Sequence, residues 1–196
     1  MVRAWYLAPS AEAPGADQRF PHEPIAQSVD CAKLLQLGVQ THSADLSTPE
    51  GAAFLDAFCA TNGLCARDQV TCSPAGCGGE DPAAAYTAML ARFYREHLHE
   101  DDEIRAVTAG TGYFDVRDDA DRWIRVAVGP ADLLVLPAGI YHRFTTDCGD
   151  FLCATRLFTA VPSWTPVARP DGDSLACRGE YVRKYISPSA AASPSA

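Results

Sequence analysis

The spacing of apolar positions changes character once along the chain, near Tyr94. Before it, apolar residues recur at helical intervals. Ser28 to Leu37 reads as a short helix stopped by Gly38. Thr48-Pro49-Glu50 is a helix start, with a capping hydroxyl and then proline in the first turn. Phe54, Leu55, Phe58 and Cys59 follow on one face, and Gly63 ends that helix. Asp81-Pro82 opens a third, in which Tyr86, Met89, Leu90 and Phe93 form a core-facing stripe. Residues 9–24 are rich in Pro, Ala and charge and read as an irregular lead-in. Residues 64–80 hold three glycines and three cysteines and read as a loop.

From Tyr94 onward the pattern is of short strands. Candidates are 94–99, 103–108, 111–117, 122–128, 132–136, 141–146 and 151–158. Gly110, Gly112, Asp118-Asp119, Gly129-Pro130, Pro137, Gly139 and Gly149 supply the breaks. Closely spaced strands after a helical preface predict an antiparallel sandwich or barrel. The last ten residues, SPSAAASPSA, carry too little apolar surface to order themselves and read as a disordered tail, 187–196.

Composition narrows the class. A chain of 196 residues, 47% hydrophobic, is long enough to bury one sizeable core. A net charge of -9 argues against a general nucleic-acid or anionic-membrane binder, although a local arginine can still receive an anionic substrate. No apolar run approaches the roughly 18 residues of a membrane helix, and MVRAWYLAPSAEAPG lacks the apolar core of a signal peptide. The expected location is therefore the cytosol, with the nucleus open. The eight cysteines contain no CxxC pair and lack a secreted context, so they read as free thiols ahead of disulfides or structural zinc.

The chemistry concentrates in His97-Leu98-His99-Glu100-Asp101-Asp102-Glu103. Residues two apart in a strand share a face, so His97 and His99 can aim both imidazoles into a barrel interior. Glu103 can join them in the same extended run or after a tight turn. His142 lies 39 positions beyond Glu103, behind a turn set by Pro137 and Gly139. Three imidazoles and one carboxylate suit Fe, Ni, Mn, Co or Zn rather than Ca or Mg. Four protein ligands in an octahedral shell leave two positions for a bidentate substrate. Arg105, two residues after Glu103, is a candidate cation for anionic substrate oxygens, or else a surface or hairpin arginine. Glu100 is a weaker candidate base, and Glu100, Asp101 and Asp102 otherwise read as solvated or turn-forming. Phe93, Phe144 and Phe158 are candidates for an apolar pocket wall. His22 and His42 fit no pattern and read as structural or surface residues.

HxHxxxE followed by six residues and Gly110 resembles the first cupin motif, and Pro137-x-Gly139-x-x-His142 the second. FYREHLHEDDEIR, GTGYFDVRD, WIRV and LPAGIYHRFT, together with VRAWY, LLQLGV and RGEYVRKY, are similar to eukaryotic acireductone dioxygenases. Ala131 stands where the second motif generally has glycine, and Thr146 where it closes on asparagine. Residues 64–80 look foreign to the family. The resemblance implies a mainly β fold, a jelly-roll-like cupin barrel with a few flanking α-helices. It implies one cupin domain over 1–186, with a helical part at 25–95 and a barrel core at 94–160. It further implies one Fe(II) or Ni(II) per chain on His97, His99, Glu103 and His142, and a monomer. The reaction implied is oxidation of the acireductone of methionine salvage by O2, with products set by the metal. The motifs themselves leave open another cupin enzyme, or a binding protein that keeps its metal for structure or sensing.

Overall fold

Short strands follow one another through the second half of the chain, and a computed structural model shows what they build. The structure describes residues 2–23, 27–159 and 165–187. The expected disordered tail lies, beyond Ser187, outside the described residues. From the N-terminus come β1 (Arg3–Tyr6), β2 (Ser28–Val29), α1 (Cys31–Gln36), β3 (Gln40–Ser43), α2 (Pro49–Thr61), β4 (Ala66–Cys72) and α3 (Pro82–Phe93). Then follow β5 (His97–Leu98), β6 (Glu103–Gly110), β7 (Gly112–Arg117), β8 (Trp123–Val128), β9 (Asp132–Leu136), β10 (His142–Thr146) and β11 (Leu152–Phe158). β12 (Val167–Ala168) and α4 (Ala176–Tyr181) close the chain, α4 continuing as a wider π-helical turn over Val182–Ile186.

The strands form two antiparallel sheets. One has the order β12-β5-β10-β7-β8-β1-β2, the other β3-β9-β6-β11-β4. From β6 to β11 the chain crosses between sheets four times, which is the jelly-roll arrangement that the family resemblance implied. Gly110 makes one crossing. Its φ is +71°, and a Cβ there would lie 2.1 Å from the Phe151 carbonyl oxygen. Between the sheets lies an apolar core that includes Val107, Phe114, Val116, Val126, Leu134 and Leu136. A second cluster, Leu55, Ile104, Ala106, Leu133, Val135 and Leu157, lies behind the five-stranded sheet under α2.

Helices α1, α2 and α3 each start at a capping side chain. Asp30, Thr48 and Asp81 each accept a hydrogen bond from the backbone N–H three residues on. The helix expected from Ser28 is shorter at its start: Ser28 and Val29 pair with Trp5 and Ala4, and the helix begins after Asp30. The larger correction concerns residues 64–80. They contain β4, which pairs along its whole length with β11 from Cys72↔Leu152 to Ala66↔Phe158. The stretch 25–95 therefore carries β2, β3 and β4 as well as its helices. The strand expected at 94–99 is reduced to His97–Leu98. No helix among the described residues is long and apolar enough to cross a membrane.

Candidate metal centre

Three strand ends, and the residue that follows β5, bring the four candidate ligands together from both sheets. His97 lies on β5 and His142 heads β10, directly opposite it in the β5/β10 pairing. Glu103 heads β6 in the other sheet, opposite Leu136 of β9. Residues 100–102 are thus the tight-turn alternative for Glu103: they carry the chain from sheet to sheet. Two hydrogen bonds tie this turn to the one before His142. Ala138 N–H donates to Asp102 Oδ1 at 2.8 Å, and Gly139 N–H donates to the His99 carbonyl at 3.0 Å.

Glu103 Oε2 lies 3.2 Å from Nε2 of both His99 and His142. The imidazole centroids are 4.5 to 5.4 Å apart. One ligand atom from each of the four residues falls within 4.8 Å of the others. Ligand bonds of about 2.1 Å place cis donors of an octahedron ~3 Å apart and trans donors ~4.2 Å apart, so the cluster has the dimensions of one coordination shell. His97 Nδ1 pairs with the Arg95 carbonyl at 2.6 Å and His142 Nδ1 with that of Ile140 at 3.0 Å. Those carbonyls hold the proton on Nδ1 and leave each Nε2 lone pair facing the cluster. The donor set and its spacing fit a divalent transition metal.

Electrostatics prepare the same state. Burial, reinforced by the neighbouring His142, pushes the His97 pKa down to about 4, so the ring is neutral and able to ligate near neutral pH. Burial alone would raise Glu103, but the Arg105 charge and the bonds from His142 and His99 hold it well below the usual carboxylate range. Arg105 Nη2 is 3.2 Å from Glu103 Oε1, and its Nη1 donates to the Ile104 carbonyl at 3.1 Å. One carboxylate and one guanidinium cancel, so a resident divalent ion would leave this end net positive.

The cluster and Arg105 form the polar end of a cavity of about 450 Å³. Its apolar walls include Val70, Cys72, Phe93, Phe114, Phe144 and Leu152. Phe93 and Phe144 thus stand where the sequence suggested, their rings 6.3 Å apart edge to face. Phe158 is not among the lining residues; it ends β11 opposite Ala66, beneath the Arg156 guanidinium. Glu100 lies exposed and outside the cavity, so it is not placed to act as a base there. Asp101 is exposed too, and Asp102 serves the turn. His22 bonds the Asp17 carbonyl, and His42 packs against Phe54 and Phe58, both structural roles.

Sequence reasoning missed Val70 and Cys72, whose strand it read as loop. The signal was present: Ala66, Asp68, Val70 and Cys72 share one parity, while Arg67, Gln69 and Thr71 make the other wholly polar. It also missed Arg156, which lines the cavity opposite Arg105 in the β6/β11 pairing and is paired with Asp68.

Comparison with known proteins agrees with this site. A sequence model described as the ARD/ARD' family matches residues 3–166. An acireductone dioxygenase of Xenopus tropicalis is 42% identical over 184 residues, covering 93% of this chain and 97% of that protein. Acireductone dioxygenase 2 of Arabidopsis thaliana is 40% identical over 187 residues, covering 95% and 92%. A solved structure of acireductone dioxygenase from Bacillus anthracis, with a cadmium ion in its active center, has the same fold. Its TM-score is 0.58 at 23% identity, over 68% of this chain and 85% of that one.

Proposed function

As the chain belongs to the ARD/ARD' family and is a metal-dependent acireductone dioxygenase, we propose that its substrate is 1,2-dihydroxy-3-keto-5-methylthiopentene, the acireductone of methionine salvage. With iron it would give formate and 2-keto-4-methylthiobutyrate. With nickel it would give formate, carbon monoxide and methylthiopropionate. The observation that carries this reading is the three-histidine, one-glutamate cluster at the polar end of an otherwise apolar cavity.

His97, His99, Glu103 and His142 would hold the ion, which when bound supplies Lewis acidity and a template for the ene-diol oxygens. The chain's own groups do the rest. The Nδ1 bonds to Arg95 and Ile140 keep two imidazoles from turning. Arg105 keeps Glu103 ionised and offers guanidinium protons to an anionic substrate oxygen, in a site where such a contact is strong because water is largely excluded. Among the described residues, Glu103 is the only carboxylate that lines the cavity. The cavity therefore presents a cation rather than a free base, and it suits a substrate that enters already ionised. Phe93 and Phe144 face the apolar tail, and thioether–aromatic contacts of about 0.3–1.5 kcal/mol each favour a sulfur there.

The test is to purify the protein anaerobically, load it separately with Fe(II) and Ni(II), and analyse products of acireductone turnover. Turnover by both forms, lost in His97→Ala, is the expected result. Stoichiometric metal without acireductone turnover would overturn the substrate assignment.

A further inference from the structure

Strand alternation sends the ligands inward and their neighbours outward. Leu98, between His97 and His99, and Tyr141, beside His142, are both fully buried, yet neither lines the cavity. Their side chains meet the C-terminal segment. Gly172 packs so closely that a Cβ there would lie 2.7 Å from the Tyr141 hydroxyl and 2.9 Å from Leu98 Cδ2. β12 pairs with β5, Val167 opposite Leu98 and Ala168 opposite His97. Tyr141 donates its hydroxyl to Asp173 at 2.9 Å, and the guanidinium groups of Arg169 and Arg178 lie 5.0 and 4.7 Å from its ring centroid.

The same segment reaches the backbone of the two stapled turns. Arg178 Nη1 donates to the Gly139 carbonyl at 3.1 Å. The Cys177 thiol faces the His99 carbonyl at 3.9 Å. Gly139 has φ +80°, and a Cβ there would lie 2.5 Å from the Cys177 carbonyl oxygen. Further along α4, Tyr181 donates to the Leu37 carbonyl, and Tyr185 packs over Gly38. The closing RGEYVRKY stretch thus spans from the His142 turn to the α1–β3 junction.

We propose that residues 167–178 are a clamp on the metal centre, with Asp173 and Arg178 as positioning residues. Asp173 fixes Tyr141, and Arg178 fixes the Gly139 carbonyl. Together they hold the turn that delivers His142 and, through β12, the short strand that carries His97. Neither residue touches substrate or metal. β5 has only two residues and one pairing with β10, so without β12 it lacks a second neighbour. This rests on the reading of His97, His99, Glu103 and His142 as a divalent metal site.

The experiment measures Ni(II) dissociation by competition with a chromophoric chelator, alongside the melting temperature of the metal-free protein. Asp173→Ala and Arg178→Ala are expected to raise the dissociation constant about tenfold, the lower end of what lost outer-shell support costs. Asp173→Asn still offers Tyr141 an oxygen and is expected to stay within about twofold of wild type. Tyr181→Phe loosens the same helix away from the ligand turns and is expected to leave nickel affinity unchanged. Wild-type affinity in both alanine variants, or equal loss in Tyr181→Phe, would overturn the clamp alone. A wild-type chain that takes up no divalent ion would overturn the metal reading and the clamp with it.

Discussion

Arg105→Met separates a functional from a structural reason for burying a charge beside the metal site. At 3.2 Å from Glu103, and with an effective dielectric constant of ~20, the gross attraction is about 5 kcal/mol. Desolvation costs several kcal/mol per ion. The directions of the two pKa shifts show which side gains. Glu103 is pulled well below its usual range, but Arg105 is itself pulled down, because burial outweighs the help from Glu103. The arginine is held at its own expense, so it adds little net stability. Methionine keeps an unbranched apolar stem, ends short of the guanidinium and carries no charge. With the metal in place, removing a nearby cation lowers the repulsion on the ion.

Two readouts should therefore move apart. Metal affinity should stay equal or tighten, while kcat falls by about 10²–10³, or ~2.7–4 kcal/mol, the usual cost of losing one donor to a developing anion. Arg105→Lys keeps the charge but loses the planar fork and should fall between. The assay is steady-state turnover of acireductone under controlled O2, normalised to bound metal by elemental analysis. An Arg105→Met enzyme that keeps more than about a third of wild-type kcat at full metal loading would refute the argument, given the size of the expected donor effect. So would one whose loss of activity follows loss of metal.

Three further outcomes follow from individual residues. Ala131 has φ +73° where the resembled motif has glycine. Ala131→Gly relieves about 1–2 kcal/mol of left-handed strain and gives back about 0.4–1 in unfolded-state entropy, so calorimetry should show the melting temperature rising ~1–4 °C; a fall would refute the strain. Cys72 lines the apolar end, and burial pushes its thiol pKa up to about 11, so it acts there as a packing group rather than a nucleophile. Cys72→Phe should raise KM for acireductone about tenfold or more at unchanged metal content, with Cys72→Ala near wild type, because a filled pocket loses substrate contact; equal KM values would remove Cys72 from the wall. Burial opposes ionisation of Asp118, but backbone and side-chain bonds from Arg122 and the Ala120 N–H lower its pKa overall. Its stabilising contribution is therefore present above the unfolded value of about 3.9 and lost as pH falls through the lower folded value. In a urea series, Asp118→Asn should be less stable at pH 7, with the gap to wild type beginning to close only as pH falls below about 4; a constant gap would reject the linkage.

Strands after Tyr94 were legible because they are short runs rich in β-branched and aromatic residues bounded by Gly, Pro and Asp breaks, although β8, β9 and β10 are buried on both faces. His97 and Arg105 followed from strand parity. β1, β2, β3, β4 and β12 were not read, and all lie at or next to sheet edges, where solvent takes part of the side chains. Their existence is decided by distant partners: Arg3 pairs with Ala127, and Ala66 with Phe158. Beyond the polar parity of β4, local spacing carries no record of such pairing. For Glu103, sequence allowed either a continuous strand or a turn. The choice depends on Ala138 and Gly139, more than thirty residues away, which bond the turn that carries the chain across.

The lead-in at 9–23 is the part whose purpose composition concealed. His142 and Phe144 face the cavity, so Arg143 between them must face the other way, and it is buried there, bonded to Asp115 at 2.9 Å and to Glu12 at 2.6 Å. Arg125, fully buried on β8, bonds the same Asp115 and donates to the Gln18 and Phe20 carbonyls of the lead-in. An arginine in a strand reads as a solvent-facing position, so this covered, charged face had no signature in the hydrophobic pattern. Its consequence is register. A slip of β10 by one residue would drive Arg143 into the cavity and turn His142 against Asp115, exchanging an imidazole ligand for a guanidinium beside Arg105. Burying that cation without Asp115 and Glu12 would cost several kcal/mol. The charged outer face thus penalises the one error that would unmake the metal centre, although the two lie on opposite sides of the sheet.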